Sequence, residues 1–174
     1  MRLSICTGVS ALFLGAALLP AGPVFAAGDS NKECPAGQSW DNAQQKCVVR
    51  NQSQLENDKI YETGRDLAMA GRYGEAITVL ATAKDKTDPR ILNYLGYSHR
   101  KQGRVLVGLG YYREAIRSDP NYTLVREYMG EAYLQLGDVA AAREQLSEIE
   151  KRCGKGCAEY TELSGQIDAY VRKG

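Results

Sequence analysis

The residues of this 174-residue chain whose types could do chemistry are one histidine, two close pairs of cysteines and a single tryptophan. His99 is the only histidine, so a nucleophilic or general-base mechanism of the histidine type would rest on it alone. Cys153-Gly154-Lys155-Gly156-Cys157 brings two sulfurs together, as thiol redox chemistry requires. A redox dithiol, however, has two intervening residues and a strand beside it. Two glycines between the sulfurs fit the sharp turn of a staple between two helices, and no histidine lies close enough in sequence to complete a metal site. Gly108-Leu109-Gly110 falls inside a helical pattern and is not a phosphate-binding loop. Glu148 and Glu150 read as a solvated helix face. The expectation is a protein with no catalytic residues, no metal and no cofactor.

The elements that would position these residues follow from the order of the chain. Met1-Arg2, the apolar or small run Val9 to Leu19, and Val24-Phe25-Ala26 together read as a signal peptide over residues 1–27. The run is short for a membrane span and is closed by Pro20 and Pro23, so a retained anchor is the weaker alternative. Without that segment the chain has 21 basic and 21 acidic residues and four cysteines. A neutral balance argues against a general nucleic-acid binder and a polybasic membrane surface. An even cysteine count after an export signal points to an oxidising compartment, periplasmic or secreted. Four cysteines allow three pairings. Cys34 with Cys47 and Cys153 with Cys157 are the expected pairs, because each flanks a local turn rich in Gly or Pro.

Residues 28–54 are polar, without sustained period, and read as an arm clipped by its disulfide. From Leu55 a helical period takes over. Asn93 to Asp119 and Glu127 to Lys151 then repeat one another at a register of 34: Tyr94, Leu95 and Gly96 recur as Tyr128, Met129 and Gly130, and Gly103 as Gly137. A fainter copy upstream carries Gly64, Gly71, Arg72 and Ala83. Such self-similarity marks a solenoid, whose units cannot bury their apolar faces alone and must stack. In each copy a first helix ends near a glycine suited to the left-handed turn. Small residues (Gly64, Gly96 and Gly130, with Ala76, Gly108 and Ala142) sit where paired helices approach, and Leu80, Tyr112 and Leu146 fill between them.

These residues resemble the tetratricopeptide repeat. The middle copy matches through Leu92, Leu95-Gly96, Gly103, Tyr112, Ala115 and Pro120. The third matches through Gly130, Tyr133, Gly137 and Ala142, and the first through Gly64, Gly71, Tyr73, Ala76 and Ala83. The pattern departs from the family where Gly108 replaces Ala, where His99 replaces a packed Tyr, and where the third copy lacks its terminal Pro. The resemblance implies an all-α, right-handed α-solenoid of three helix-turn-helix units over residues 55–153. Residues 154–174 supply a capping helix, making seven helices in all. The chain is similar in this to small periplasmic bacterial proteins of the family.

The family binds through a concave groove of first helices, which carries over here to Tyr61, Arg65, Asn93, Tyr97, Arg100, Lys101, Glu127, Tyr128, Glu131 and Gln135. Basic residues gather in the first two copies and carboxylates in the third. The family's peptide-carboxylate clamp is missing, since Tyr61, Arg65, Tyr94, Leu124 and Tyr128 stand at its positions. The expected function is non-catalytic binding of a protein or peptide, as an adaptor or scaffold, with neither nucleic acid nor a membrane as partner. The alternative places binding of a cell wall or carbohydrate on the Cys34–Cys47 segment through Trp40. That segment resembles one cysteine-bounded part of peritrophin-type chitin-binding modules, which carry more cysteines. A disulfide-stapled knuckle is the structural reading of the same residues.

Overall fold

The computed structural model describes residues 34–35, 38–41, 46–49 and 52–173. The segment read as a signal peptide, residues 1–27, and much of the 28–54 arm lie outside them. What is described of the arm is a two-stranded ribbon, β1 (Gln38–Asp41) paired with β2 (Lys46–Val49), with Cys34 and Cys47 joined as a disulfide. Two strands alone are marginal in water, and closing a loop of this size removes roughly 3 kcal/mol of chain entropy from the unfolded state. Trp40 is half-buried on β1.

Seven helices follow among the described residues: α1 (Gln52–Met69), α2 (Tyr73–Leu80), α3 (Pro89–Lys101), α4 (Val105–Ser118), α5 (Thr123–Gln135), α6 (Val139–Cys153) and α7 (Ala158–Lys173). The first of them starts ahead of Leu55, where the apolar period begins. None is long and apolar enough to cross a membrane.

Three turns share one chemistry. Gly71, Gly103 and Gly137 have φ of 77°, 81° and 76°, a conformation that costs a side-chain-bearing residue and that glycine adopts freely. In each, the N–H after the glycine donates to the carbonyl five residues back, Arg72 to Leu67, Arg104 to His99 and Asp138 to Tyr133, at 2.9, 3.0 and 2.9 Å. These bonds satisfy helix-end carbonyls and reverse the chain within two residues. Helix starts use side chains as well. Asp88 accepts from the Arg90 N–H at 2.9 Å ahead of Pro89, and Asp138 accepts from Ala141 at 2.9 Å.

The core consists of three successive clusters. Ala68, Leu80 and Ile91 anchor the first, between α1, α2 and α3; Leu109, Tyr112 and Val125 the second, between α3, α4 and α5; Ile149, Leu163 and Ile167 the third, between α5, α6 and α7. Each hairpin therefore buries its apolar face against the next, as a solenoid requires. The first helices α1, α3, α5 and α7 also touch one another in sequence, whereas α2, α4 and α6 do not. The array thus bends toward its first helices, and their exposed faces line the inside of the bend.

One packing expectation is corrected. Gly130 faces Leu163 of α7: a Cβ built there would lie 2.6 Å from both Leu163 Cδ atoms. Leu146, expected to fill beside Gly130, is only half-buried. The terminal helix therefore takes the place that Leu80 and Tyr112 take beside Gly64 and Gly96.

Candidate functional site: the inner face of the solenoid

A row of tyrosines runs along the inner face. The Tyr61 ring of α1 lies 5.9 Å from Tyr94 of α3; Tyr94 lies 6.1 Å from Tyr97; and Tyr97 lies 5.0 Å from Tyr128 of α5. Tyr73 of α2 meets Tyr97 edge-on at 6.1 Å. Such tilted and edge-on pairs align ring edges with ring faces, and burial pushes the Tyr94, Tyr97 and Tyr128 hydroxyls above their ordinary range. All three hydroxyls stay neutral at physiological pH. They offer hydrogen bonds beside apolar ring surface.

Cations lie over these rings. The Arg90 guanidinium sits 4.8 Å from the Tyr61 centroid and Arg65 sits 6.0 Å from it, while Arg100 and Lys101 each lie 5.4 Å from Tyr97. The three arginines are also ion-paired: Arg65 with Asp66 at 2.8 Å, Arg90 with Asp58 at 2.8 Å and Asp88 at 2.6 Å, and Arg100 with Glu131. Lys101, at the end of α3, is exposed and is the cation best placed to meet a partner.

The inner-face residues separate by depth. Tyr61, Arg65, Tyr97, Tyr128 and Glu131 are half-buried along the face, and Lys101 and Gln135 stand exposed at helix ends. Three lie deeper than a contact surface. Asn93 is fully buried, and its amide makes no hydrogen bond of full geometry although the Tyr122 hydroxyl is close enough to interact. Arg100 is 2% exposed, donating to the Tyr112 hydroxyl at 3.3 Å as well as pairing with Glu131. Glu127 is 8% exposed. Arg100 and Asn93 support the face from beneath. Tyr73, Arg90 and Gln166 belong to the same surface and were not marked by repeat position, while Tyr94, named in the sequence only for the repeat register and the missing clamp, is 5% exposed and lies as deep as Arg100 and Glu127.

Glu127 is the electrostatic outlier. Burial pushes its carboxyl up to about 7, repulsion from Glu131, Glu159 and Glu162 adds to the rise, and Arg100 opposes it. Glu131 is satisfied differently, accepting from Gln166 Nε2 at 2.8 Å besides its pair with Arg100.

The other sequence candidates lie elsewhere. His99 is half-buried and stacks on Tyr111, ring centroids 5.3 Å apart, and burial followed by the Arg104 charge lowers its pKa. Cys153 and Cys157 are joined as a disulfide across the α6–α7 turn.

Stacked helical hairpins with a continuous inner face define a helical-repeat solenoid. A sequence model of the tetratricopeptide repeat matches residues 61–123 and again 95–156, more than half of the chain. The chain belongs to the tetratricopeptide repeat family.

Solved structures agree on the fold. The type III secretion chaperone SycD of Yersinia enterocolitica, in complex with a peptide of the translocator YopD, superposes with a TM-score of 0.58 at 20% identity over 71% of this chain and 93% of that one. The first tetratricopeptide domain of human RPAP3 gives 0.60 at 17% identity, over 68% and 94%. The Sgt2 domain from Aspergillus fumigatus gives 0.60 at 20%, over 68% and 78%. No curated protein matches the chain in sequence.

Proposed function

We propose that this protein is a non-catalytic adaptor that binds an extended segment of another protein along the inner face of α1, α3, α5 and α7, in an exported, periplasmic setting. The observation that carries the reading is the tyrosine row, which crosses three successive hairpins with neighbouring rings 5.0 to 6.1 Å apart. Tyrosine supplies rigid, amphipathic contact area at low entropic cost, the property that enriches it at binding surfaces. The SycD structure, which holds a peptide of YopD, supports a peptide as occupant. The absent clamp residues direct the reading away from a peptide's terminal carboxylate and toward an internal segment. The export signal expected over residues 1–27 and the disulfide pairs support the compartment.

The test compares partner retention by Lys101→Glu and Tyr97→Ala with retention by Arg113→Glu, a change on the exposed side of α4. Loss with the first two and not the third is expected. Equal retention by all three would remove the inner face from the account.

A further inference from the structure

The two sulfurs of the α6–α7 turn are unequal. Cys153 is the last residue of α6 and is exposed, whereas Cys157 directly precedes α7 and is half-buried against the third core cluster. The Thr161 N–H donates to the Cys157 carbonyl at 3.2 Å, which puts Cys157 at the cap of a 16-residue helix. Negative charge is favoured at that end of a helix and disfavoured at the end where Cys153 stands. A thiolate on Cys157 is therefore the more stable of the two, and Cys157 is the sulfur that leaves more readily. Lys155 adds a positive charge between the sulfurs, and the Glu159 carboxylate, within 4.8 Å of both, opposes it. Access follows from the glycines. Gly154 turns with φ of 76°, and a Cβ added at Gly154 or Gly156 would meet nothing within 4 Å, so the turn is bare around the exposed sulfur.

The fold does not depend on the bond staying closed. Leu163 and Ile167 are 0% and 3% exposed, and Gln166 donates to Glu131 at 2.8 Å, so α7 is held further along its length. A thiol on Cys157 would have the Gly154 carbonyl 3.2 Å away as acceptor, and one on Cys153 the Ile149 carbonyl at 3.5 Å. The loop is also short, with a sequence separation of 4 against 13 for Cys34–Cys47, and closing a shorter loop removes less chain entropy from the unfolded state.

We propose that Cys153–Cys157 is a thiol–disulfide exchange site, with Cys153 the sulfur attacked and Cys157 the sulfur released. An incoming cysteine thiol gives its proton to solvent, and the resulting thiolate donates an electron pair to Cys153 Sγ. The Cys153–Cys157 bond breaks, its electron pair leaves on Cys157, and that sulfur takes up a proton. The product is a mixed disulfide on Cys153. A second incoming thiolate then attacks the sulfur of the first, joining the two incoming thiols and releasing Cys153. Two electrons and two protons have then passed to this chain. The two-residue spacing of a redox dithiol is absent here, and the opposed helix ends supply the inequality between the sulfurs instead. The exchange is stoichiometric and does not rest on the inner-face reading.

The oxidised full chain is incubated with reduced glutathione, quenched with acid, alkylated and mapped by mass spectrometry. Cys153–Cys157 should open roughly tenfold faster than Cys34–Cys47, whose two cysteines are both half-buried, with trapped glutathione on Cys153 and a free thiol on Cys157. Helicity by circular dichroism should not change as the bond opens. A second arm presents reduced, unfolded lysozyme at the same thiol concentration. Faster opening than with glutathione assigns the exchange to protein cysteines, and slower opening assigns it to small thiols. Opening no faster than that of Cys34–Cys47, glutathione shared equally between Cys153 and Cys157, or loss of helicity on opening would each overturn the exchange site and leave a structural staple.

Discussion

Arg100 of α3 and Glu131 of α5 form an ion pair between neighbouring repeats, with the arginine side chain 1% and the glutamate side chain 17% exposed. The pair lies beneath the tyrosine row, and the same guanidinium faces both Tyr97 and Tyr128. A charge at that depth holds its place only while its partner does, so the pair couples the register of one hairpin to the geometry of the inner face.

Breaking the pair from one side should be costly. Arg100→Met leaves Glu131 without its cation and should destabilise the chain by roughly 3 kcal/mol in urea unfolding. The double variant Arg100→Met with Glu131→Leu should recover most of that loss, because no buried charge is then left alone. A double variant as unstable as the single one would show that the loss comes from packing and not from charge.

Two glycines should respond in opposite directions to alanine. Gly130→Ala drives a methyl into the fully buried Leu163 and should destabilise by about 1–3 kcal/mol. Gly110→Ala on α4 meets nothing within 4 Å and should stabilise by about 0.5–1 kcal/mol through reduced backbone freedom in the unfolded chain. Thermal or urea unfolding of the two variants side by side checks both signs.

Glu127 gives stability a pH dependence opposite to that of most carboxylates. Its pKa rises from 4.5 to about 7 on folding, so between those values the folded chain keeps a proton that the unfolded chain has released. Stability from this group is present in full below pH 4.5 and is lost as pH rises through about 7, a change of about 1–3 kcal/mol. Glu131, Glu159 and Glu162 strengthen the effect, and Arg100 weakens it. Relative to wild type, Glu127→Gln should gain stability steadily from pH 5 to pH 8. Parallel profiles for the two proteins would contradict the assignment.

The architecture was legible because its determinants are local and repeat. Gly103 and its counterparts must turn the chain whatever packs around them, and Gly96 facing Tyr112 repeats the Gly64–Leu80 contact at nearly the same period. The depth of the inner-face residues was not legible. Arg100 reads as a surface cation in sequence, since its partner Glu131 belongs to the next repeat and lies beyond any i, i+4 rule. Asn93 occupies the repeat position held by Tyr61 and Glu127, and its complete burial depends on how closely the adjoining hairpins stack. The terminal helix was expected as a cap. Its approach at Gly130 also brings it onto the inner face, a placement visible only once Leu163 is set against α5.

The central claim, that the inner face holds a partner segment, is tested most directly by site-specific photo-crosslinking in the native compartment. A photoreactive residue placed at Lys101 or Gln135, both exposed at the inner-face ends of first helices, should capture a discrete partner band. One placed at Arg113 or Arg143, exposed on second helices, should not. Capture from the second-helix positions with none from the first-helix positions would contradict the account.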